Sequence, residues 1–191
     1  MSALTRRHLM QALAASAFAV LGDRTAHATV MRALSLQTLA QRSDCIVLGR
    51  ALRASSHLQN FPGSQRIVTD VEFQVEDVLG KAPPAASVLP VRVLGGVVGR
   101  SGEYVAGQAE LELGAPCVVF LRRLARGGEP YWLTGMAQGH FPVLSDAAGI
   151  PHLTPSPRLP DLLGFEKSAV RALSGLTIAS AKDALRRVLE P

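Results

Sequence analysis

Three histidines lie beyond residue 28, at His57, His140 and His152, each far from the others along the chain. His140 opens a short apolar run, with Ser145 and Asp146 a few residues on. A histidine that takes a proton from a hydroxyl, and is itself held by a carboxylate, can activate a nucleophile once the three meet within hydrogen-bond reach. A small hydrolase with a site of dispersed residues around His140 is therefore one expectation. Asp70, Glu72 and Glu76 form a second acidic set, able in principle to hold a cation or a basic partner. They alternate with Val71, Phe73 and Val75, the pattern of the wet face of a half-buried strand.

Other chemistries lack their residues. The chain contains no Gly-x-Ser-x-Gly elbow, no His-Glu-x-x-His pair and no phosphate-binding loop. Gly95-Gly96-Val97-Val98-Gly99 lacks the spacing of a dinucleotide loop and reads as a flexible turn. Cys45 and Cys117 are the only cysteines. In an oxidising compartment they can form one disulfide, which would close a loop of about 70 residues and contribute up to ~4 kcal/mol. Equally, each lies in an apolar run where a free thiol packs as a small hydrophobe. Neither has a neighbouring ligand for zinc, so no metal or cofactor is expected.

The elements that must position these residues are short strands. Cys45–Leu52 is apolar and rich in strand formers, Ile67–Leu79 alternates with period two, and Val88–Leu94 repeats that pattern with Pro90 favouring an edge. Cys117–Leu121 and Tyr131–Thr134 read as a hairpin, and His140–Leu144 as a last short strand. Segments 55–64 and 95–107 read as exposed loops, and loops on a rigid scaffold are where binding concentrates. Helical spacing occurs at Leu34, Leu36, Leu39 and Ala40 behind a Ser35 cap. It returns at Leu162, Leu163, Val170 and Leu173, and again at Ala181, Leu185, Val188 and Leu189, with Ser180 as cap. Pro151–Pro160 holds four prolines and reads as a linker. Strands separated by Gly and Pro turns, without intervening helices, predict a mainly β protein: a small antiparallel barrel with a short N-terminal helix and C-terminal helices.

The stretch Ser43–Arg50, Thr69-Asp70-Val71 leading to Val75–Gly80, Gly95-Gly96, Val105-Ala106-Gly107, Val119-Phe120-Leu121 and Gly135–Phe141 resembles an uncharacterised group of exported bacterial proteins. More distantly, their order is similar to the OB-like barrel of netrin modules and tissue inhibitors of metalloproteases. The resemblance implies a fold. The zinc-chelating terminal cysteine of those inhibitors has no counterpart, because the processed chain is expected to begin at Thr29.

That expectation rests on the first 28 residues. Arg6 and Arg7 precede the apolar run Ala12–Leu21, and Ala26-His27-Ala28 completes a small-x-small cleavage site before Thr29. Ten apolar residues are half of the ~20 that cross a bilayer as a helix. Thr5-Arg6-Arg7-His8-Leu9-Met10 further matches a twin-arginine signal, with general secretory export as the alternative. The domains expected are then a signal peptide at 1–28, a barrel at 29–150, and a Pro-rich linker with helices at 151–191. Removing three arginines and one aspartate with the leader lowers the net charge from +5 to +3, too little and too scattered to imply nucleic acid. No later apolar run is long enough to span a membrane. The functional expectation is a periplasmic or secreted, non-enzymatic module binding an envelope protein or polysaccharide. A small exported hydrolase and a structural envelope component are the alternatives.

Overall fold

Between Ile67 and Leu79 the alternation has its predicted consequence: Val71 and Phe73 are buried while Glu72 and Gln74 face solvent. The computed structural model describes residues 29–83, 86–124 and 130–190. In chain order these form β1 (Val30–Arg32), α1 (Leu36–Gln41), β2 (Cys45–Phe61), β3 (Ser64–Val78), β4 (Val88–Leu94), β5 (Gly96–Val98) and β6 (Ser101–Glu103). There follow β7 (Pro116–Arg122), β8 (Tyr131–Leu133), β9 (His140–Ser145), β10 (Pro151–Leu153), β11 (Asp161–Leu163), α2 (Ala169–Leu173) and α3 (Ile178–Leu189). The protein is mainly β, as expected, with one large sheet and few helices.

That sheet has seven strands in the order β10-β9-β7-β2-β3-β4-β8. β8 runs parallel to β4 on one side and antiparallel to β7 on the other. Pro90 sits opposite Glu72 of β3, while β8 begins pairing only at Val91, so its missing N–H costs no bond to β8. β1 and β11 make a separate parallel pair, and β5 and β6 a small hairpin.

Two cores lie on the two faces of β2 and β7. Cys45, Val47 and Ala51 pack with Val71, Phe73, Val91, Val119 and Tyr131 on one face. Ile46, Val118, Phe120 and Phe141 pack on the other against Leu39, Val170, Leu173 and Leu185 of the helices. Ser35 caps α1 by accepting from the Thr38 amide at 3.1 Å, as expected. Buried Gln138 clasps the start of the described chain: its Oε1 accepts from the Leu34 amide at 2.8 Å, and its Nε2 donates to the Arg32 carbonyl at 3.1 Å. Among the described residues no helix is long and apolar enough to cross a membrane.

Several expectations are corrected. Segment 55–64 is not a loop: β2 continues to Phe61 and turns at Pro62-Gly63 into β3, with pairing from His57↔Val68 out to Phe61↔Ser64. Gly95–Gly107 is not simply a flexible turn, because it contains the β5–β6 hairpin. The Pro151–Pro160 linker holds β10, bonded to β9, and Leu153 in it is fully buried. Leu162 and Leu163 belong to strand β11 rather than a helix, since their backbone pairs with Met31 and Arg32. Thr177, not Ser180, caps α3, accepting from the Ser180 amide at 3.2 Å.

Candidate functional site

β7 accompanies β2 only as far as Arg50, where the register ends at Pro116. The β2–β3–β4 sheet carries on beyond that point without its neighbour. Its core-facing side chains there are Ala54, Ser56, Thr69, Val71 and Val93, set on one side by the pairs Ala54↔Val71, Ser56↔Thr69 and Thr69↔Val93. They line an open groove of about 970 Å³. Its floor is the segment 104–113, whose Ala109 and Leu111 are buried in the core while Tyr104 and Leu113 stand exposed at the rim.

The β5–β6 hairpin is the opposite wall, and one glycine lets it approach. Gly96 has φ +133°, and a Cβ there would meet Ser56 Oγ and Thr69 Oγ1 at 2.4 Å. The two hydroxyls are 2.8 Å apart, and Thr69 donates to the Gly95 carbonyl at 2.7 Å. Glu103 anchors the hairpin end: it accepts from the Ile67 amide at 2.7 Å and pairs with Arg66. The Ile67 amide first, and Arg66 second, hold its carboxyl below the usual range. Arg158 reaches over from the chain after β10, pairing with Glu110 and lying 5.3 Å from the centre of the Tyr104 ring.

The chemistry of the groove is that of its lining. Small apolar side chains, hydroxyls and carboxylates line it, with neither histidine nor cysteine among the lining residues. Pockets that orient a ligand combine an apolar wall with a few placed polar groups, as here. Among the described residues no group of three or more His, Cys, Asp and Glu could hold a metal ion.

His140 lies elsewhere. Its Nδ1 is 3.0 Å from Ser156 Oγ, and both residues are 4% exposed. Burial pushes the imidazole pKa down to about 4, so it is neutral at pH 7. Ser156 lies 16 residues along the chain, and spacing in the sequence does not mark it as the partner of His140. The expected neighbour Asp146 instead bonds His152 Nε2 at 2.9 Å and accepts from the Ala148 and Ile150 amides. Those contacts, the Ile150 amide foremost, lower its pKa. His57 stands 3.7 Å from Asp70, whose carboxylate mainly receives Arg92 at 2.5 and 2.7 Å. Glu76 pairs with Arg50 and Glu72 is exposed, so the acidic set is dispersed over the outer face.

Cys45 and Cys117 are free buried thiols. They sit on adjacent strands, but Cys45 is opposite Leu121 and Cys117 opposite Gly49. Four residues of offset is roughly 13 Å along a strand, about twice the Cα separation a disulfide spans. Burial raises both thiols to about 12. The residues expected to form a signal, Arg6, Arg7, Ala26 and Ala28, lie outside the described residues, which begin at Thr29. No family model, curated protein or solved structure matches this chain.

Proposed function

We propose that this chain is an exported envelope protein whose folded part is an OB-like barrel acting as a non-enzymatic binding module. The leader features, Arg6-Arg7 before a short apolar run and Ala26-x-Ala28 before Thr29, support export to the periplasm or beyond. The pairing order supports the barrel: bonding passes from β7 through β2, β3, β4 and β8 and returns to β7. Five strands bonded in a ring, with one parallel contact between β4 and β8, is the pairing expected of a small Greek-key barrel and supports that reading.

The observation that carries the binding role is the 970 Å³ groove, open where β2 outruns β7 and lined by side chains that would otherwise belong to a core. Apolar groups left facing water on a folded domain are stabilised when something covers them. The hydrolase alternative around His140 draws on its bond to Ser156, but a substrate would have to reach two residues that are each 4% exposed. Filling the groove tests the proposal. Ala54→Trp should abolish retention of envelope glycan or protein on immobilised chain, whereas Leu144→Trp on exposed β9 should leave it intact. Equal retention by both variants would refute the groove.

A further inference from the structure

From Leu52 to Phe61, β2 has a partner strand on one side only among the described residues. β3 pairs with it throughout, whereas β7 has ended at Arg50↔Pro116, and the one further backbone bridge on the other edge among the described residues is Leu113 opposite Ala51. Among the described residues, the last backbone bond on that edge is the Gly114 amide to the Ala51 carbonyl at 2.8 Å. Alternate N–H and C=O groups over the next ten residues therefore point outward unbonded. Folded proteins generally blunt so long an edge with proline, a bulge or a covering segment. One irregularity of β2 precedes the edge, at Leu48/Gly49, and the other, at Ala51/Arg53, marks its start at Leu52; none follows from Ala54 to Phe61, and no proline occurs in Leu52–Phe61.

The same stretch borders the groove through Ala54 and Ser56. Resting on the groove as the binding site, we infer that its ligand is an extended peptide segment of a protein partner. The segment adds a strand to the free edge of β2 and drops alternate small apolar side chains into the groove. Backbone pairing supplies affinity in this mode and the pockets for alternate side chains supply selectivity. Charge chooses among peptides. The charged residues lining the groove are Glu103, Glu110, Glu112 and Arg158. Arg66 neutralises Glu103 and Arg158 neutralises Glu110, while Glu112 is exposed and pairs with no cation among the described residues. Glu112 immediately precedes Leu113, beside Ala51 where the free edge begins, so the fitting segment carries a lysine or arginine at that end.

The test uses the purified full chain and blocked eight-residue peptides: alternating valine and lysine, the same with glutamate for lysine, and the first with alternate amides N-methylated. Amide hydrogen exchange and chemical shifts are read over β2 and the groove. The lysine peptide should slow exchange at alternate amides between Leu52 and Asn60, binding about tenfold more tightly than the glutamate peptide, and N-methylation should abolish it. Glu112→Lys, an exposed change that spares the core, should reverse the preference. Groove shifts with the lysine peptide but no β2 protection would overturn strand addition while leaving the groove a binding site. Groove shifts with soluble envelope glycan and none with any peptide would overturn the peptide class. No groove shift with peptides or glycan would remove the binding site itself. Protection already present without peptide, at a dimer's mass, would assign the edge to a second copy.

Discussion

At the scale of single residues, burial rather than reactivity governs the groups that could do chemistry. The His140 imidazole is held neutral by its surroundings, with a folded pKa near 4 against an ordinary value of 6.5. A group depressed in this way binds its proton more readily once unfolded, so stability rises with pH between those values. The contribution is complete above pH 6.5 and lost as pH falls through the folded pKa, on the order of 3 kcal/mol. Urea midpoints at pH 7, 5.5 and 4.5 should fall steeply for the native chain and less for His140→Gln; parallel slopes would contradict this. The cysteines make a second case. With both thiols pushed to about 12 and enclosed, iodoacetamide at pH 8 should label neither in the folded chain and both in urea. Rapid labelling of folded protein would show that the β2–β7 core opens.

At the scale of elements, the β5–β6 hairpin depends on one backbone conformation. Gly96 at φ +133° lies where other residues are strained by about 1–3 kcal/mol, before any clash of a Cβ with Ser56 and Thr69. Gly96→Ala should lower the unfolding midpoint and expose the β5 and β6 amides to exchange, while Gly63→Ala, in open space at a turn, should leave those amides protected. How far such elements could be read from sequence follows from where their order originates. β3 was legible because its own alternation separates a buried from a wet face. The outer half of β2, Ser55-Ser56-His57-Leu58-Gln59-Asn60, has the composition of a loop and is a strand only because β3 pairs with it residue for residue. β10 and β11 are likewise made by partners distant in sequence, β9 and β1. Ser156 reaches His140 through that long-range packing, which spacing along the chain does not reveal. Segments 55–64 and 95–107 both border the groove, but their composition reads as loops and does not reveal the strands that shape it. The floor at Gln108–Leu113 and the arm at Arg158 carry no local signal.

For the whole molecule, the proposal joins an export signal to a barrel with one open side. If Arg6 and Arg7 engage a twin-arginine translocon, replacing both by lysine should hold the chain in the cytoplasm, and the exported form should have the mass of a chain starting at Thr29. Unaffected export of the double variant would assign the general secretory route instead. What the molecule does outside rests on the groove beyond Arg50 being occupied. Amide chemical shifts of the chain titrated with fractionated envelope material measure this directly. The account predicts changes concentrated at Ala54, Ser56, Thr69, Gly96 and Glu110. Changes confined to β9, β10 or the helices, with those five still, would contradict it.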